Sequence, residues 1–478
     1  MRGLRPLTAA GARRRTEALL LLFVIAIAVF GHVSAGLAMN GELPPNLAGF
    51  TLSMTLLSLV GHLGVRRFAA YADPLILPLA MLLTGLGLVL IHRLDQSYIE
   101  RYGGRPERPP DQLLWTVVGF AACLLVLALL RDHRLLQRFI YITMAVALVL
   151  LIAPVFFGAD TYGAKRWIIL FGFSLQPGEF VKIMIAVFFA GYLVVHRDSL
   201  SLTGRRFLGM RLPPMRQLGP IVTVWIVSML VLVFERDLGT SLIFFGVFVV
   251  MLYVATERTS WIVCGVFMAA VGAFAVGSTE PHVKARVAAW LNPLSYYWKD
   301  RPPGVTSDQS AQALFSFGTG GMSGTGLGMG HPELIKFAGR SDFILTTVGE
   351  ELGLAGVMAV LLLYALLVQR GLRMALGARD PFGKLLAVGL SAALALQVFV
   401  VAGGVTGLIP LTGKALPFLA KGGSSLLANW IMIALLLRIS DSAERGRQAD
   451  ARGPAETTIT PIVVPPHPEN ALPGGDPR

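Results

Sequence analysis

The sequence predicts an all-α polytopic membrane protein, and three observations carry that reading. Of 478 residues, 54% are hydrophobic and only 14% charged, too little polar material to cover a soluble globule of this size. Mean hydropathy is +0.66. Apolar windows of roughly 20 residues, the length that crosses a bilayer core, recur along the chain. The formal net charge of +13 would point to nucleic acid in a soluble protein. Here Lys and Arg sit in short segments between apolar runs, where membrane orientation and anionic lipid headgroups account for them, so nucleic acid is not implied. Cys123 and Cys264 lie inside apolar runs, which leaves neither a disulfide framework nor a metal-ligand spacing.

Residues 1–16 carry five arginines ahead of the apolar run Glu17–Gly31. That pattern also describes a signal peptide, but HVSAG is a poor cleavage site and an uncleaved first span is preferred. Further windows lie near Asn46–Val65, Pro74–His92, Leu113–Leu130, Phe139–Phe157, Gly178–His196 and Ile221–Phe234. Gly239–Ala255, Trp261–Gly277, Phe343–Val368, Leu385–Thr406 and Ser424–Leu437 bring the total to twelve spans. With the amino terminus inside, Lys and Arg are in excess on the cytoplasmic segments, as the positive-inside rule requires. Both termini are then cytoplasmic, and the two longest loops, Arg93–Gln112 and 278–342, face outward. Residues 440–478 are rich in Pro, Gly, Ala and charge without apolar periodicity and read as a disordered cytoplasmic tail.

An ionisable residue within a span marks a functional site by default, because charge there is costly. Glu179 and Lys182, three apart, share a helix face; they are either a mutual ion pair or part of a site. Lys165 and Arg166 lie at the outer surface against the charge bias and offer cationic donors to a phosphate group. Asp237, in a tight turn before a span, can cap that helix or touch substrate. Glu350 and Glu351 fall two turns into a span, where at least one needs a partner. Just ahead of them runs FGTGGMSGTGLGMGHPELIKFAGRSD, with seven glycines between Gly318 and Gly330. A loop of that composition suits wrapping a ligand, the alternative being a flexible connector. No dinucleotide fingerprint is in register. Asp342 closes the stretch, either as a plain N-cap of the helix that follows or as a catalytic carboxylate near water.

GAKRWI, QPGEFVKI, ERDLGTSLIFF, SDFILTTVGEELGLAG and LTGKALPFLAKGGSSLLANW resemble, in the same order, the motifs of the SEDS family of bacterial cell-wall polymerases (RodA, FtsW, SpoVE). The resemblance covers Leu75–Ile439. It implies a ten-helix core over residues 74–439, with two additional amino-terminal helices over 17–73 of the kind found in actinobacterial members. It further implies a peptidoglycan glycosyltransferase that polymerises lipid II at the outer membrane face with inversion. Asp342 matches the family's essential aspartate, the general base toward the acceptor's sugar hydroxyl. Lys165, Arg166 and Lys182 would face the pyrophosphate of the departing undecaprenyl carrier, with a divalent cation, Mg2+ or Mn2+. Glu179, Asp237, Gln309, Ser310, Glu351, Lys414 and Ser424 are implied as substrate-binding, and a class B penicillin-binding transpeptidase as partner. The chain departs from the family at Gly178, at Glu235-Arg236, at Ser341 and at Ala420-Lys421. Lys414 and Lys421 add cations that could hold an anionic substrate or a partner's acidic face. Elongation is the preferred role over division or sporulation. Rival readings are a lipid II flippase or transporter, and a non-catalytic activator of the transpeptidase. Charge gathered at one side, the absence of an evident inverted repeat and the intact Asp342 speak against them.

Overall fold

The computed structural model describes residues 9–103, 112–161, 164–170, 173–201, 206–207, 210–211, 222–227, 230, 237–298, 302 and 304–451. Among them, eleven helices are long and apolar enough to cross a membrane. Eleven of the twelve expected spans are therefore present, and half of the twelfth, Ile221–Phe234, falls outside the described residues. The long helices are α1 (Ala9–Asn40), α2 (Leu47–Phe68), α3 (Ile76–Tyr102), α4 (Gln112–Leu129), α5 (Ile140–Phe157) and α6 (Gly178–Ser201). They continue with α7 (Leu238–Thr256) and α8 (Thr259–Thr279). Shorter helices follow, among them α9 (Pro281–Leu291) and α10 (Asp308–Gly320), and then α11 (Ile344–Gly377), α12 (Pro381–Val405) and α13 (Gly423–Ala451).

Burial sorts the spans. The most apolar windows of α3 and α12 are 78% buried and that of α13 83%, against 17% for α8, so the first three form the protein's interior and α8 faces lipid. α12 packs on α6, α7, α11 and α13. Its start is set by Asp380, which accepts from the Gly383 amide at 2.6 Å, with Pro381 in the first turn; both are ordinary N-terminal signals. The amino-terminal pair α1–α2 packs on the core through α1 and α3. Its own cohesion includes Glu17, fully buried, which receives Arg66 and the His62 Nδ1 at 2.7 Å.

Several boundaries differ from expectation. α1 runs on to Asn40 and α3 to Tyr102, so half of the expected loop Arg93–Gln112 is helix; the α3 end comes at Gly103, whose φ of 62° is the left-handed cap. α13 continues to Ala451, past the point where disorder was expected; residues 452–478 lie outside the described ones. The stretch around GAKRW contributes to a small antiparallel sheet, β1 (Ala159–Thr161), β2 (Ala164–Leu170) and β3 (Phe173–Leu175). Its β-branched and aromatic side chains suit a pleated ribbon. The segment 278–342 is not one loop either: it holds α9, α10 and a 3-10 helix, Pro332–Arg340.

The glycine stretch is anchored to α11. Its amides pair with backbone carbonyls of α11: Thr325 N donates to Glu350 O at 2.9 Å and Gly326 N to Glu351 O at 3.0 Å. In return Leu354 N donates to Gly321 O at 2.9 Å and Ala355 N to Met322 O at 3.1 Å. This exchange occurs where α11 is broken at Gly353, with φ 67° and ψ −168°. Small residues let the two backbones touch, and the loop supplies the hydrogen bonds that the break leaves open, as a membrane interior demands.

Gly353→Ala should therefore destabilise the fold by more than about 1 kcal/mol. A Cβ there would lie 2.4 Å from Gly324 N on a residue already at positive φ. A thermal melt of the detergent-solubilised protein reads the drop.

Candidate functional site

The turn that presents Asp342 is built on one carbonyl. Ala338 O accepts from Ser341 N and from Phe343 N, each at 3.0 Å, and from the Ser341 hydroxyl at 3.3 Å. α11 then begins after Phe343, with no side chain capping it. Asp342 is thus not the helix cap, and its carboxylate is free for other contacts. Ser341 Oγ donates to Asp342 Oδ1 at 2.9 Å, so the departure at Ser341 leaves a hydroxyl on the carboxylate.

Asp342 Oδ2 faces two guanidinium groups across Gly413. At φ +69° this glycine has no side chain to fill the space between them. A Cβ on it would lie 3.7 Å from Arg166 Nη1, 3.8 Å from Arg286 Nη2 and 4.0 Å from Asp342 Oδ2. Burial raises the Asp342 pKa above the ordinary aspartate value, opposed by the Ser341 hydrogen bond and by the two arginines. Burial and then Arg166 lower that of Arg286.

Behind this trio sits a paired set of buried charges. Lys414, in the loop before α13, places Nζ 3.1 Å from Asp237 Oδ2 and 3.6 Å from Glu179 Oε1. Asp237 and Glu179 together raise its pKa against the effect of burial. Asp237 also caps α7, accepting from Thr240 N at 3.0 Å and Thr240 Oγ1 at 2.7 Å, and lies 3.9 Å from Arg166 Nη1. Lys414 and Arg166 hold its carboxyl well below the usual range. It is cap and cluster member at once.

Lys182 donates to Glu179 at 2.8 Å, to Gln397 Oε1 at 2.7 Å and to Asn429 Oδ1 at 3.0 Å. All three ammonium hydrogens thus have partners, and Lys182 offers no spare donor to a pyrophosphate. Ser425 donates to Glu179 at 3.2 Å. A narrow polar pocket, lined by Glu179, Lys182, Thr240, Gln397 and Lys414 among others, opens among these groups. Arg166 differs from Lys182: its Nε is buried with no hydrogen-bond partner among the described residues, while its guanidinium lies 5.2 Å from the Trp167 ring. The side chain of Lys165 lies outside the described residues. Four cations (Arg166, Lys182, Arg286, Lys414) thus meet three carboxylates (Glu179, Asp237, Asp342).

The remaining expected residues lie elsewhere. Glu351 is fully buried and paired with Arg93 Nε at 2.6 Å; Arg93 also reaches Glu333 at 3.4 Å. Glu350 Oε1 accepts from His331 N at 2.6 Å. The partner expected for this acidic pair exists, and it belongs to the junction of α3 with the glycine stretch, not to the Asp342 cluster. Gln309 is exposed and Ser310 half-buried in the first turn of α10, and none of the cluster's described contacts involves them. Ser424 is buried at the start of α13, but the neighbouring Ser425 makes the contact with Glu179. Lys414 is buried rather than offered to a partner, and Lys421 pairs with Asp95 at 3.8 Å.

Arg286, Gln397, Ser425 and Asn429 were not singled out from sequence. Gln397 carried a readable signal, a lone amide within the apolar run ALALQVFV. Asn429 and Ser425 stood inside a motif already noted, GSSLLANW. Arg286 had none beyond being a cation in a long loop.

Eleven spans among the described residues and a cluster of buried acids and bases define a polytopic membrane protein with a polar site. The chain belongs to the FtsW/RodA/SpoVE family, described as cell cycle protein, whose model matches residues 73–445. It is 45% identical over 455 residues to the peptidoglycan glycosyltransferase RodA of Mycobacterium tuberculosis, covering 95% of this chain and 96% of that one. It is 46% identical over 433 residues to the RodA of Mycobacterium leprae, covering 90% and 91%. A probable FtsW of Geobacter sulfurreducens is 33% identical over 383 residues, covering 79% and 97%. Among solved structures, a chain of a peptidoglycan synthase complex matches with TM-score 0.59 at 24% identity, over 79% of this chain and 98% of that one. Thermus thermophilus RodA matches with TM-score 0.52 at 21% identity, over 77% and 96%. These two bear out the all-α fold.

Lys414→Met should cost about 3–5 kcal/mol, because it leaves two buried carboxylates short of a cation. Lys421→Met, at a partly exposed pair, should cost less than about 1 kcal/mol. Adding Asp237→Asn to Lys414→Met should recover part of the loss; chemical denaturation of the three variants reads the coupling.

Proposed function

We propose that this protein is a peptidoglycan glycosyltransferase that polymerises lipid II at the outer face of the cytoplasmic membrane, with both termini in the cytoplasm and with Asp342 as general base. The observation that carries the mechanism is Asp342 itself: a half-buried carboxylate of raised pKa, released from capping and facing Arg166 and Arg286. A base is needed where the acceptor hydroxyl loses its proton, and fixed cations where pyrophosphate charge develops. Asp342 would take the proton from the acceptor sugar hydroxyl as its oxygen attacks the anomeric carbon of the donor. The bond to pyrophosphate breaks and the undecaprenyl carrier leaves with the electron pair. Arg166, whose Nε has no partner among the described residues, and Arg286 are the donors placed to receive that charge.

The polymerase reading also rests on the names of the relatives at 45% and 46% identity, each a peptidoglycan glycosyltransferase, and elongation is the role we propose. A class B penicillin-binding transpeptidase is the proposed partner, in keeping with the synthase complex to which one structural neighbour belongs. Mg2+ or Mn2+ does not fit the protein alone. No group of three or more His, Cys, Asp or Glu suited to a metal exists among the described residues, and Glu179 and Asp237 are already matched by cations. A divalent ion fits only as one carried in on substrate phosphates, which is how Mg2+ is commonly bound.

Purified protein given labelled lipid II and a divalent ion, with and without a transpeptidase partner, should yield glycan ladders on a gel. Asp342→Asn should lower the rate about 10²- to 10⁴-fold while keeping the melting temperature. Equal ladders from both proteins would move the base elsewhere, and none from either with partner present would favour the flippase or the activator. The pH dependence has a definite sign. The base acts ionised and its pKa is raised, so kcat should climb with pH along a limb above the ordinary aspartate range. Arg286→Gln removes a cation that favours the ionised form; it should move that limb to still higher pH.

A further inference from the structure

The turn bearing Asp342 hangs from a strained residue. Lys336 has φ 59° and ψ −151° inside the 3-10 helix Pro332–Arg340, a conformation that a non-glycine residue holds only when its surroundings impose it. Its side chain is exposed and cannot be what imposes it. Its carbonyl accepts a hydrogen bond from the hydroxyl of Tyr98, a residue of α3 that is almost wholly buried. The same hydroxyl sits against Gly339, where a Cβ would lie 3.2 Å away. Two residues beyond Lys336 comes Ala338, whose carbonyl carries the Asp342 turn. On the far side Arg340 is tied down by an ion pair with Asp95, also on α3, and stacks its guanidinium 5.5 Å from the Tyr98 ring and 5.2 Å from that of Phe337. Its carbonyl accepts from Lys421 N at 2.8 Å, which joins the turn to the loop that contains Gly413 and Lys414.

We propose that Tyr98 is a positioning residue for Asp342. Its hydroxyl holds Lys336 at its strained positive φ, and the Asp95–Arg340 pair fixes the other end of the segment, so the carboxylate is delivered beside Arg166 and Arg286. The proposal deepens the glycosyltransferase reading and rests on it for the kinetic readout. Its structural content stands on the clamp alone.

The test combines deletion of the hydroxyl with a backbone series. Tyr98→Phe removes only the hydrogen bond and should lower kcat about ten- to a hundredfold, with KM within about twofold. Lys336→Gly adopts positive φ without strain and should restore most of the rate in the Tyr98→Phe background. With Tyr98 intact, Lys336→Gly should turn over like wild type, because glycine reaches φ 59° with ψ −151° freely, while Lys336→Val should be slow. Hydrogen exchange of the Ser341 and Phe343 amides should follow the same order: fast in Tyr98→Phe and Lys336→Val, slow in Lys336→Gly and in the rescued double variant. Wild-type kcat in Tyr98→Phe, absence of rescue by Lys336→Gly, or Val behaving like Gly would overturn the proposal. Should Tyr98→Phe not fold, the Gly and Val variants decide. Should the wild type make no glycan, the glycosyltransferase reading fails and the exchange order alone decides the clamp.

Discussion

The contact on which the site depends is the double ion pair of Lys414 with Asp237 and Glu179. It joins the loop before α13 to the first turns of α6 and α7. Each of these charges would be costly alone in an apolar interior. Together they are partnered, Asp237 also accepting from Thr240 and Glu179 from Ser425 and Lys182, while Gln397 and Asn429 take the other two hydrogens of Lys182. Lys414 follows directly on Gly413. Fixing the lysine therefore also fixes the bare stretch of backbone around which Arg166, Arg286 and Asp342 meet.

A second constraint comes from the backbone. α11 cannot be broken at Gly353 within a membrane unless its freed amides and carbonyls are matched. The glycine stretch matches them, and the Arg93–Glu351 pair ties the junction to α3. α3 thereby acts as a template for the whole approach to Asp342, through Arg93, Asp95 and Tyr98 near its C-terminal end. This division explains why Glu351, which reads from sequence as part of the site, belongs to the scaffold instead.

How much of this was legible follows from what kind of signal each part leaves. The spans are written in hydropathy, so eleven of them were placed with only their ends misjudged; ends depend on caps such as Gly103 that a composition window does not see. The cost of buried charge marked Glu179, Lys182, Asp237 and Glu351 as important but not with whom they pair, because partners come from distant spans, as with Lys182 and Gln397. Lys414 was visible as a cation, yet its burial was not, since a loop residue reads as solvent-exposed. Arg286 left no trace, because its role arises only when α9 folds over the Gly413 loop, where its Nη1 lies 3.3 Å from the carbonyl oxygens of both Leu411 and Thr412.

A general base and a cationic cradle make opposed demands on one carboxylate, since cations favour its ionised form and weaken it as a base. The charge arrangement separates the two. Lys182 and Lys414 are largely neutralised by Glu179 and Asp237, which leaves Arg166 and Arg286 as the cations acting on Asp342, and Arg166 is shared with Asp237. Burial therefore prevails, and the Asp342 pKa stands above its usual value. In the proposed reaction the pyrophosphate competes for the same two guanidinium groups. As they turn toward the growing charge of the leaving group, their hold on Asp342 weakens and it accepts the proton more readily. The arriving substrate thus strengthens the base that acts on it, and it can do so only because the other carboxylates of the cluster are already paired.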